Sequence, residues 1–257
     1  MISHRLDLAL TGGVEARVLF TGRGSMASGG SSRSPYAWAN LASHVGDDPA
    51  SVISNRSGLA GALGVPAASM TFMHPDHGRG VAMVSEPTGV QPGAEITAVD
   101  ALVTDRAGLG LVALSADCVP VILVEPKAGV VAAVHSGWRG LVVDVLGAAI
   151  AAMEQVGARV GEIRAHLGPA ICGACYPVPG ERAAEVREVR PEAVGWATDG
   201  QPTVDVRVGL VARLEELGAR PTVFGGCTAE DPGLYYSHRR DGRTGRQGGA
   251  VAILPAA

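Results

Sequence analysis

The sequence carries no large excess of either charge and no long apolar run. Lysine and arginine number 21 against 25 acidic residues, a formal net charge of −4 with a pI near 6.0, so no basic surface for a nucleic acid is implied. No stretch approaches the roughly 20 consecutive apolar residues that span a bilayer. The first residues, Met1-Ile-Ser-His-Arg-Leu-Asp7, lack the basic and then apolar layout of a secretory signal. A cytoplasmic protein is expected, with no membrane and no nucleic-acid partner. Aromatic residues make up only 4% while glycines number 36, so packing must rely on close backbone approach and many turns. Four cysteines, Cys118, Cys172, Cys175 and Cys227, are too irregularly spaced for a secreted disulfide framework. In a cytosolic chain they read as metal-binding, catalytic or buried thiols. No internal repeat is evident and no linker divides the chain.

What is present is a folding composition: 47% hydrophobic and 18% charged residues over 257 positions, enough for one sizeable core. Ala16-Arg-Val-Leu-Phe-Thr21 reads as an opening strand, and Gly22 to Ser34, rich in Gly and Ser, as a mobile loop. Asp47 and Asp48 before Pro49 mark the start of a helix that carries Val52, Ile53 and Arg56. Val81–Val84 and Ala101–Thr104 read as strands around a Pro- and Gly-punctuated loop from Ser85 to Thr97. Leu109–Leu114, Val119–Val124 and Val130–Val134 are nearly continuous apolar runs, as strands buried on both faces are. Leu141, Val142, Val145, Leu146, Ala149, Ile150 and Met153 recur at helical spacing, with Gly157 as the stop. Ile163–Leu167 returns as a strand, followed by helices over Glu181–Val189 and Val206–Leu217, the second closed by Gly218. Pro221–Gly225 and Val251–Leu254 are short strands. This interleaving predicts an α/β fold, a single-domain layered sandwich over residues 1–257 around a central mixed β-sheet.

Chemistry concentrates where two apolar runs end. Cys118 opens the run Val119–Val124, and His135 ends the next. A turn from Pro126 to Gly129 would bring them together. A thiolate and imidazoles suit Zn²⁺, and three protein ligands are the mark of a catalytic zinc. His77 and His74, in His74-Pro-Asp-His77-Gly78, compete for the third place, because an odd offset points to opposite faces of an extended segment. Gly78 would permit close backbone approach. Asp117 can accept a proton or orient an imaidazole of the cluster. Each residue also has an ordinary alternative: a buried thiol for Cys118, a hydrogen-bonded turn histidine for His135. Cys172-Gly-Ala-Cys175 can be a redox pair or half of a zinc site, but it opens no thioredoxin-like helix, and packed thiols near the cleft are the favoured reading. Ser237 to Arg246 carries four arginines that can hold an oxyanion or form a solvated loop.

These residues resemble the YfiH-type or laccase-domain family, also called the polyphenol oxidase or purine nucleoside phosphorylase family. The matching segments run in order along nearly the whole chain: Ser34-Pro-Tyr36, Asn40-Leu41, His44-Val-Gly-Asp-Asp48, Asn55-Arg56, His77-Gly78, Ala116-Asp-Cys118, His135-Ser-Gly-Trp-Arg-Gly140, Leu167-Gly-Pro169, Cys175-Tyr176, Cys227-Thr228, and Ser237-His-Arg-Arg240 with Thr244-Gly-Arg-Gln247. The resemblance implies one α/β domain with a zinc held by two histidines and a cysteine. Carried over, these are His77, Cys118 and His135, with His77 preferred to His74 because the family's histidine precedes the glycine. The chain departs from the pattern at Pro75-Asp76, where the family has Gln-Val. It departs again at Ala170, Cys172 and Pro177, where the family has Cys, Gly and Glu.

The resemblance implies phosphorolysis of adenosine, inosine, guanosine or methylthioadenosine, and hydrolytic deamination of adenosine. The expected partners are a small-molecule nucleoside and phosphate, and the expected state is a monomer or small homo-oligomer. Asp117 and Arg56 are expected to be catalytic, and Asn40 and Arg239 to bind substrate. Copper-dependent polyphenol oxidation is the alternative the older family label implies. It demands many imidazoles, usually in His-x-His pairs, and the seven histidines form none, so copper is the less expected metal. A third alternative is a role in quality control of peptidoglycan precursors. It would go with a structural zinc closed by a fourth protein ligand, for which Cys175 is the candidate.

Overall fold

A computed structural model describes residues 1–254. Strands β1 (Ile2–Ala9) and β2 (Glu15–Thr21) open the chain, and helix α1 (Pro49–Leu63) follows a long irregular segment. Then come β3 (Met70–His74), β4 (Val81–Met83), β5 (Ile96–Thr97), β6 (Ala101–Thr104), β7 (Gly110–Ser115), β8 (Val119–Glu125) and β9 (Val130–Ser136). Helices α2 (Trp138–Val142) and α3 (Val145–Gln155) precede β10 (Arg164–Leu167) and α4 (Gly180–Val189). The chain closes with β11 (Val194–Trp196), β12 (Pro202–Val204), α5 (Val206–Leu217), β13 (Arg220–Val223), α6 (His238–Asp241) and β14 (Gln247–Leu254).

The strands divide between two six-stranded mixed sheets, in the orders β1-β2-β14-β7-β3-β5 and β13-β10-β8-β9-β6-β4, with β11 and β12 as a separate pair. The two large sheets face each other. Phe20, Leu111, Ala113, Val251 and Ile253 of the first pack on Leu102, Ile122, Val124, Val131 and Ala133 of the second. The next residue along each strand points to the other face. Leu19, Val112, Leu114 and Ala252 therefore meet α1, while Val121, Leu123, Ala132 and Val134 meet α3 and α5. Helix, sheet, sheet and helix layers result, and the unbroken apolar runs of β7, β8 and β9 follow from burial of both faces. No helix among the described residues is long and apolar enough to cross a membrane.

The start of one helix behaves as the sequence predicts. Helix α1 starts at Pro49 with Asp48 as its cap, whose carboxylate accepts the Ser51 N–H at 3.0 Å. It stops at Gly64 with φ 89°. The single helix expected from Leu141 to Met153 is instead two. Asp144 between them takes φ 59°, its carboxylate caps α3 through the Gly147 N–H, and Arg213 of α5 pairs with it at 2.6 Å. That charged clasp outweighs the helical periodicity running through it. Strands β1 and β3 carry no expectation from the sequence. β1 is a half-exposed edge strand, and β3 is only five residues long.

Candidate metal centre

Strands β8 and β9 form a hairpin whose register sets Pro120 opposite His135. Cys118, two residues before Pro120, therefore lies beside the end of β9. His77 arrives from the loop between β3 and β4. The Cys118 Sγ lies 3.8 Å from His77 Nε2, and the His77 and His135 rings meet edge to face at 4.8 Å. One donor atom from each of His77, Cys118 and His135 lies within 4.8 Å of the others, so the cluster can hold a metal ion. No other His, Cys, Asp or Glu among the described residues joins this group. His74 points elsewhere: it stacks on His44, with 4.5 Å between ring centres and 12° between planes.

The cluster is organised by Asp100, a residue with no sequence motif. Asp100 is buried at the start of β6, and its Oδ1 lies 2.9 Å from His135 Nδ1. That contact occupies Nδ1 and leaves Nε2 for the cluster. The same carboxylate accepts the backbone N–H groups of His77 at 3.0 Å and Gly78 at 2.7 Å. His77 itself takes φ 59°, a left-handed backbone that costs a non-glycine residue about 1–2 kcal/mol. The two N–H bonds to a buried carboxylate offset that cost. The close approach foreseen for Gly78 falls at Gly137 instead. A Cβ on Gly137 would lie 2.9 Å from Cys118 Sγ and 3.3 Å from His77 Cδ2, whereas one on Gly78 would meet nothing nearer than 3.7 Å.

Electrostatically, Cys118 and His135 form a pair. Burial pushes the Cys118 thiol up, but the charge of His135 and hydrogen bonds from His135 and His77 outweigh it and bring the thiol down to about 6. Burial pushes His135 down, but the Cys118 thiolate and Asp100 raise it to about 9. At neutral pH the pair is thiolate and imidazolium, the form from which a metal would displace one proton.

The cluster opens into a cavity of about 520 Å³, a size suited to a small-molecule ligand. Besides the three donors it is lined by His44, His74, Trp138, Tyr176, Arg182, Arg239 and Arg246 among others. Arg239 lies over the Tyr176 ring at 4.8 Å, and Arg182 over the Trp138 ring at 4.8 Å. Asp117 also lines the cavity, at φ 91°, with Oδ1 accepting from the Thr228 hydroxyl and Oδ2 from the Arg239 N–H, each at 2.6 Å. It orients no imidazole; that part falls to Asp100.

Two expected site residues lie outside the cavity. Arg56 is fully buried under Phe72, paired with Glu95 at 2.6 Å, and donates to the carbonyls of Leu41 and Val90. All of its donors point into the fold, so it has none for a substrate, and the catalytic expectation for Arg56 is corrected on that ground. Asn40 is also buried. Its amide donates to Ala42 O and Asp47, and its Oδ1 accepts the Ala42 and Arg246 N–H groups. It therefore braces the segment that carries Arg246 and does not face a ligand. Arg182 carries no signal in the sequence, and Arg246 is marked only as one arginine of a basic stretch. The arginine-rich stretch Ser237 to Arg246 was the available signal, and Arg240 and Arg243 of that stretch are absent from the cavity lining. Cys175, the candidate for a fourth ligand, sits in a different group with Cys172, Cys227 and Glu230.

Residues 18–254 match the family described as multi-copper polyphenol oxidoreductase laccase. The chain is 48% identical over 226 residues to purine nucleoside phosphorylase ORF3 of Streptomyces griseus, covering 87% of this chain and 90% of that protein. Among solved structures, YfiH of Bacillus licheniformis superposes with a TM-score of 0.86 at 27% identity, covering 93% of each chain. YlmD of Geobacillus stearothermophilus superposes with a TM-score of 0.85 at 30% identity, covering 95% of this chain and 93% of that one.

Proposed function

The chain belongs to the multi-copper polyphenol oxidoreductase laccase family, and within it we propose a zinc-dependent purine nucleoside phosphorylase that also deaminates adenosine. Relatives carrying the purine nucleoside phosphorylase name support the reading. The observation that carries it is the meeting, in one cavity, of a His₂Cys donor set with three guanidinium groups. A nucleoside and a phosphate need both an apolar, aromatic surface and anion donors, and this cavity offers them side by side.

The donor set fits zinc. Mixed nitrogen and sulfur ligands, three in number, are what a catalytic zinc takes, and it would supply Lewis acidity at His77, Cys118 and His135. It fits copper redox chemistry less well. Among the described residues no methionine lines the cavity to serve as the axial ligand of a blue site. His44 and His74, two further imidazoles in the cavity lining, stack on each other in place of converging on a second ion.

The chain's own residues then divide the work. His44, which burial brings down to about 4, stacks with His74 to give a flat surface against which a purine can lie. Trp138 and Tyr176 add aromatic surface to the cavity lining. Arg239, Arg246 and Arg182 hold phosphate beside the ribose. In phosphorolysis a phosphate oxygen forms a bond to the anomeric carbon as the carbon–N9 bond breaks. The purine leaves with that electron pair and takes up a proton. Asp117, next to Cys118 in the cavity lining, is the residue we assign to proton transfer in the deamination of adenosine. Adenosine, inosine, guanosine and methylthioadenosine are the proposed substrates. Four free cysteines fit a reducing compartment, and the cytoplasm is the proposed location.

The test is direct. Protein purified without added metal is assayed for metal content, then incubated with adenosine or inosine and phosphate. Zinc, ribose 1-phosphate, free base and inosine formed from adenosine are expected. Turnover no greater than that of a His77→Ala control, or stoichiometric copper with a blue absorption band, would overturn the proposal.

A further inference from the structure

We propose that Cys172, Cys175, Cys227 and Glu230 form a second metal site, a structural one for a thiophilic divalent cation of the zinc class. Their donor atoms all lie within 4.8 Å of one another, and Cys175 Sγ stands 3.6 Å from Glu230 Oε1. A tetrahedral zinc with bonds of about 2.3 Å to sulfur and about 2.0 Å to oxygen separates its ligands by roughly 3.5–3.8 Å. The cluster is already near that spacing, so small side-chain rotations close it.

The backbone is arranged to present these donors. Gly173–Cys175 forms a single 3-10 turn, with the Cys175 N–H on Cys172 O at 3.1 Å, which turns both thiols of the Cys-x-x-Cys element to one side. The Gly173 N–H is pinned by Asp205 at 3.0 Å. The second segment is brought alongside by a bridge between Ala170 and Cys227 and by the Thr228 N–H on Ala170 O. The Cys172 N–H then points at Cys227 Sγ from 3.3 Å, as an amide does toward a metal-bound thiolate.

Two simpler accounts leave parts of the cluster without a purpose. A Cys172–Cys175 disulfide would use neither Cys227 nor Glu230, and all four cysteines of the chain are free. Packing of inert thiols would bury them among apolar neighbours, yet Cys172 and Cys175 are only half-buried and an exposed carboxylate reaches Cys175. The position explains what the ion would do. Ile171 and Tyr176, on either side of the Cys-x-x-Cys turn, line the large cavity. Thr228, next to Cys227, donates to Asp117. An ion here staples two loops that form one wall of the cavity, and it shares no ligand with the His77, Cys118 and His135 cluster.

The experiment counts metal and free thiols in the whole chain, purified in the presence of a phosphine reductant and no chelator. Two equivalents of metal are expected in the wild type and one in Cys118→Ser. In Cys118→Ser loaded with Co²⁺, the thiolate-to-cobalt absorption should exceed that of Cys172→Ser/Cys227→Ser in proportion to three thiolates against one. Because the serine variants can fail to fold, the wild type is also alkylated with and without a chelator and mapped by peptide mass. Protection of Cys172, Cys175 and Cys227 that chelator abolishes supports the site. Full alkylation of all three in metal-replete protein, or a Cys172–Cys175 disulfide in protein from reduced cells, overturns it. Metal that is lost with Cys172→Ser/Cys227→Ser but kept by Cys118→Ser supports this site while counting against the catalytic zinc, so the two proposals fail separately.

Discussion

His135 Nδ1 lies 2.9 Å from Oδ1 of Asp100, and both groups are almost wholly buried. The contact ties the second strand of the β8–β9 hairpin to the loop that carries His77, because the same carboxylate also accepts the His77 and Gly78 N–H groups. One side chain thus orients an imidazole and holds a strained ligand loop.

Replacing Asp100 should therefore damage metal binding more than its distance from the cavity suggests. Partners of ligating histidines typically contribute 10- to 100-fold in metal affinity. Asp100→Asn is expected to weaken zinc binding by about that factor in competition with a chromogenic chelator. Activity lost at limiting zinc should return at high zinc. An unchanged affinity would show that Asp100 serves the fold alone.

Gly137 tests the closeness of the three donors. Its φ of −91° suits any residue, so a Gly137→Ala change strains no backbone. Its Cβ would nonetheless stand 2.9 Å from Cys118 Sγ. The variant should keep its melting temperature within a few degrees and lose metal, read as zinc per chain after dialysis.

The differences between what the sequence disclosed and what the fold built have physical causes. Cys118 and His135 were legible because they stand at the ends of two apolar runs, and a short hairpin can place them only side by side. His77 was not decided by spacing, since an irregular loop leaves both His74 and His77 open; the resemblance decided it. Asp100 left no trace because its work is done by position at a strand start, a place where an acidic residue looks like any loop boundary. Arg56 misled for the opposite reason. A basic residue in a segment that matches the family suggests an anion site, but its donors are consumed by carbonyls and the Glu95 carboxylate of its own core. The division into two sheets was equally hidden, because a run buried on both faces reads the same whether a helix or a second sheet covers it.

The Cys118 thiol gives a pH-dependent signal in protein stripped of metal. Burial raises its pKa, but His135 and His77 bring it down to about 6. The reactive thiolate accumulates as pH rises through that value. Alkylation of Cys118, followed by peptide mass, should be half-maximal near pH 6 and flat above about pH 7. His135→Ala removes the imidazolium and should shift the midpoint up toward the ordinary thiol value of 9.0. Added zinc should suppress the reaction in the wild type.

Arg239 and Arg246 should separate from Arg56 in kinetics. A hydrogen bond to a charged group contributes about 1.5–3 kcal/mol, or roughly 10- to 100-fold in affinity. Arg239→Ala is expected to raise the KM for phosphate by about that factor with a smaller change in the KM for nucleoside. Arg56→Lys should leave both constants of the folded fraction near wild type while lowering its yield and melting temperature. Equal phosphate KM values for Arg239→Ala and wild type would remove Arg239 from the anion site.

Glu95 should contribute to the acid sensitivity of the fold. Burial raises its pKa, but hydrogen bonds from Ser43 and Arg56 and the Arg56 charge hold the carboxyl down at about 2, against an ordinary 4.5. A carboxyl depressed in the folded state contributes stability that is complete above its unfolded value and lost as pH falls toward its folded one. The window is therefore pH 4.5 down to about 2. With the Arg56 and Glu95 side chains 1% and 6% exposed, removing one partner strands the other charge in the core, at a cost of about 3–5 kcal/mol. Glu95→Gln should lose that much in urea unfolding at pH 7. Its stability should also fall less steeply than the wild type's between pH 4.5 and 2, because the titrating group that steepens the curve is gone. Parallel curves for the two proteins across that window would mean that the acid sensitivity resides in another carboxylate.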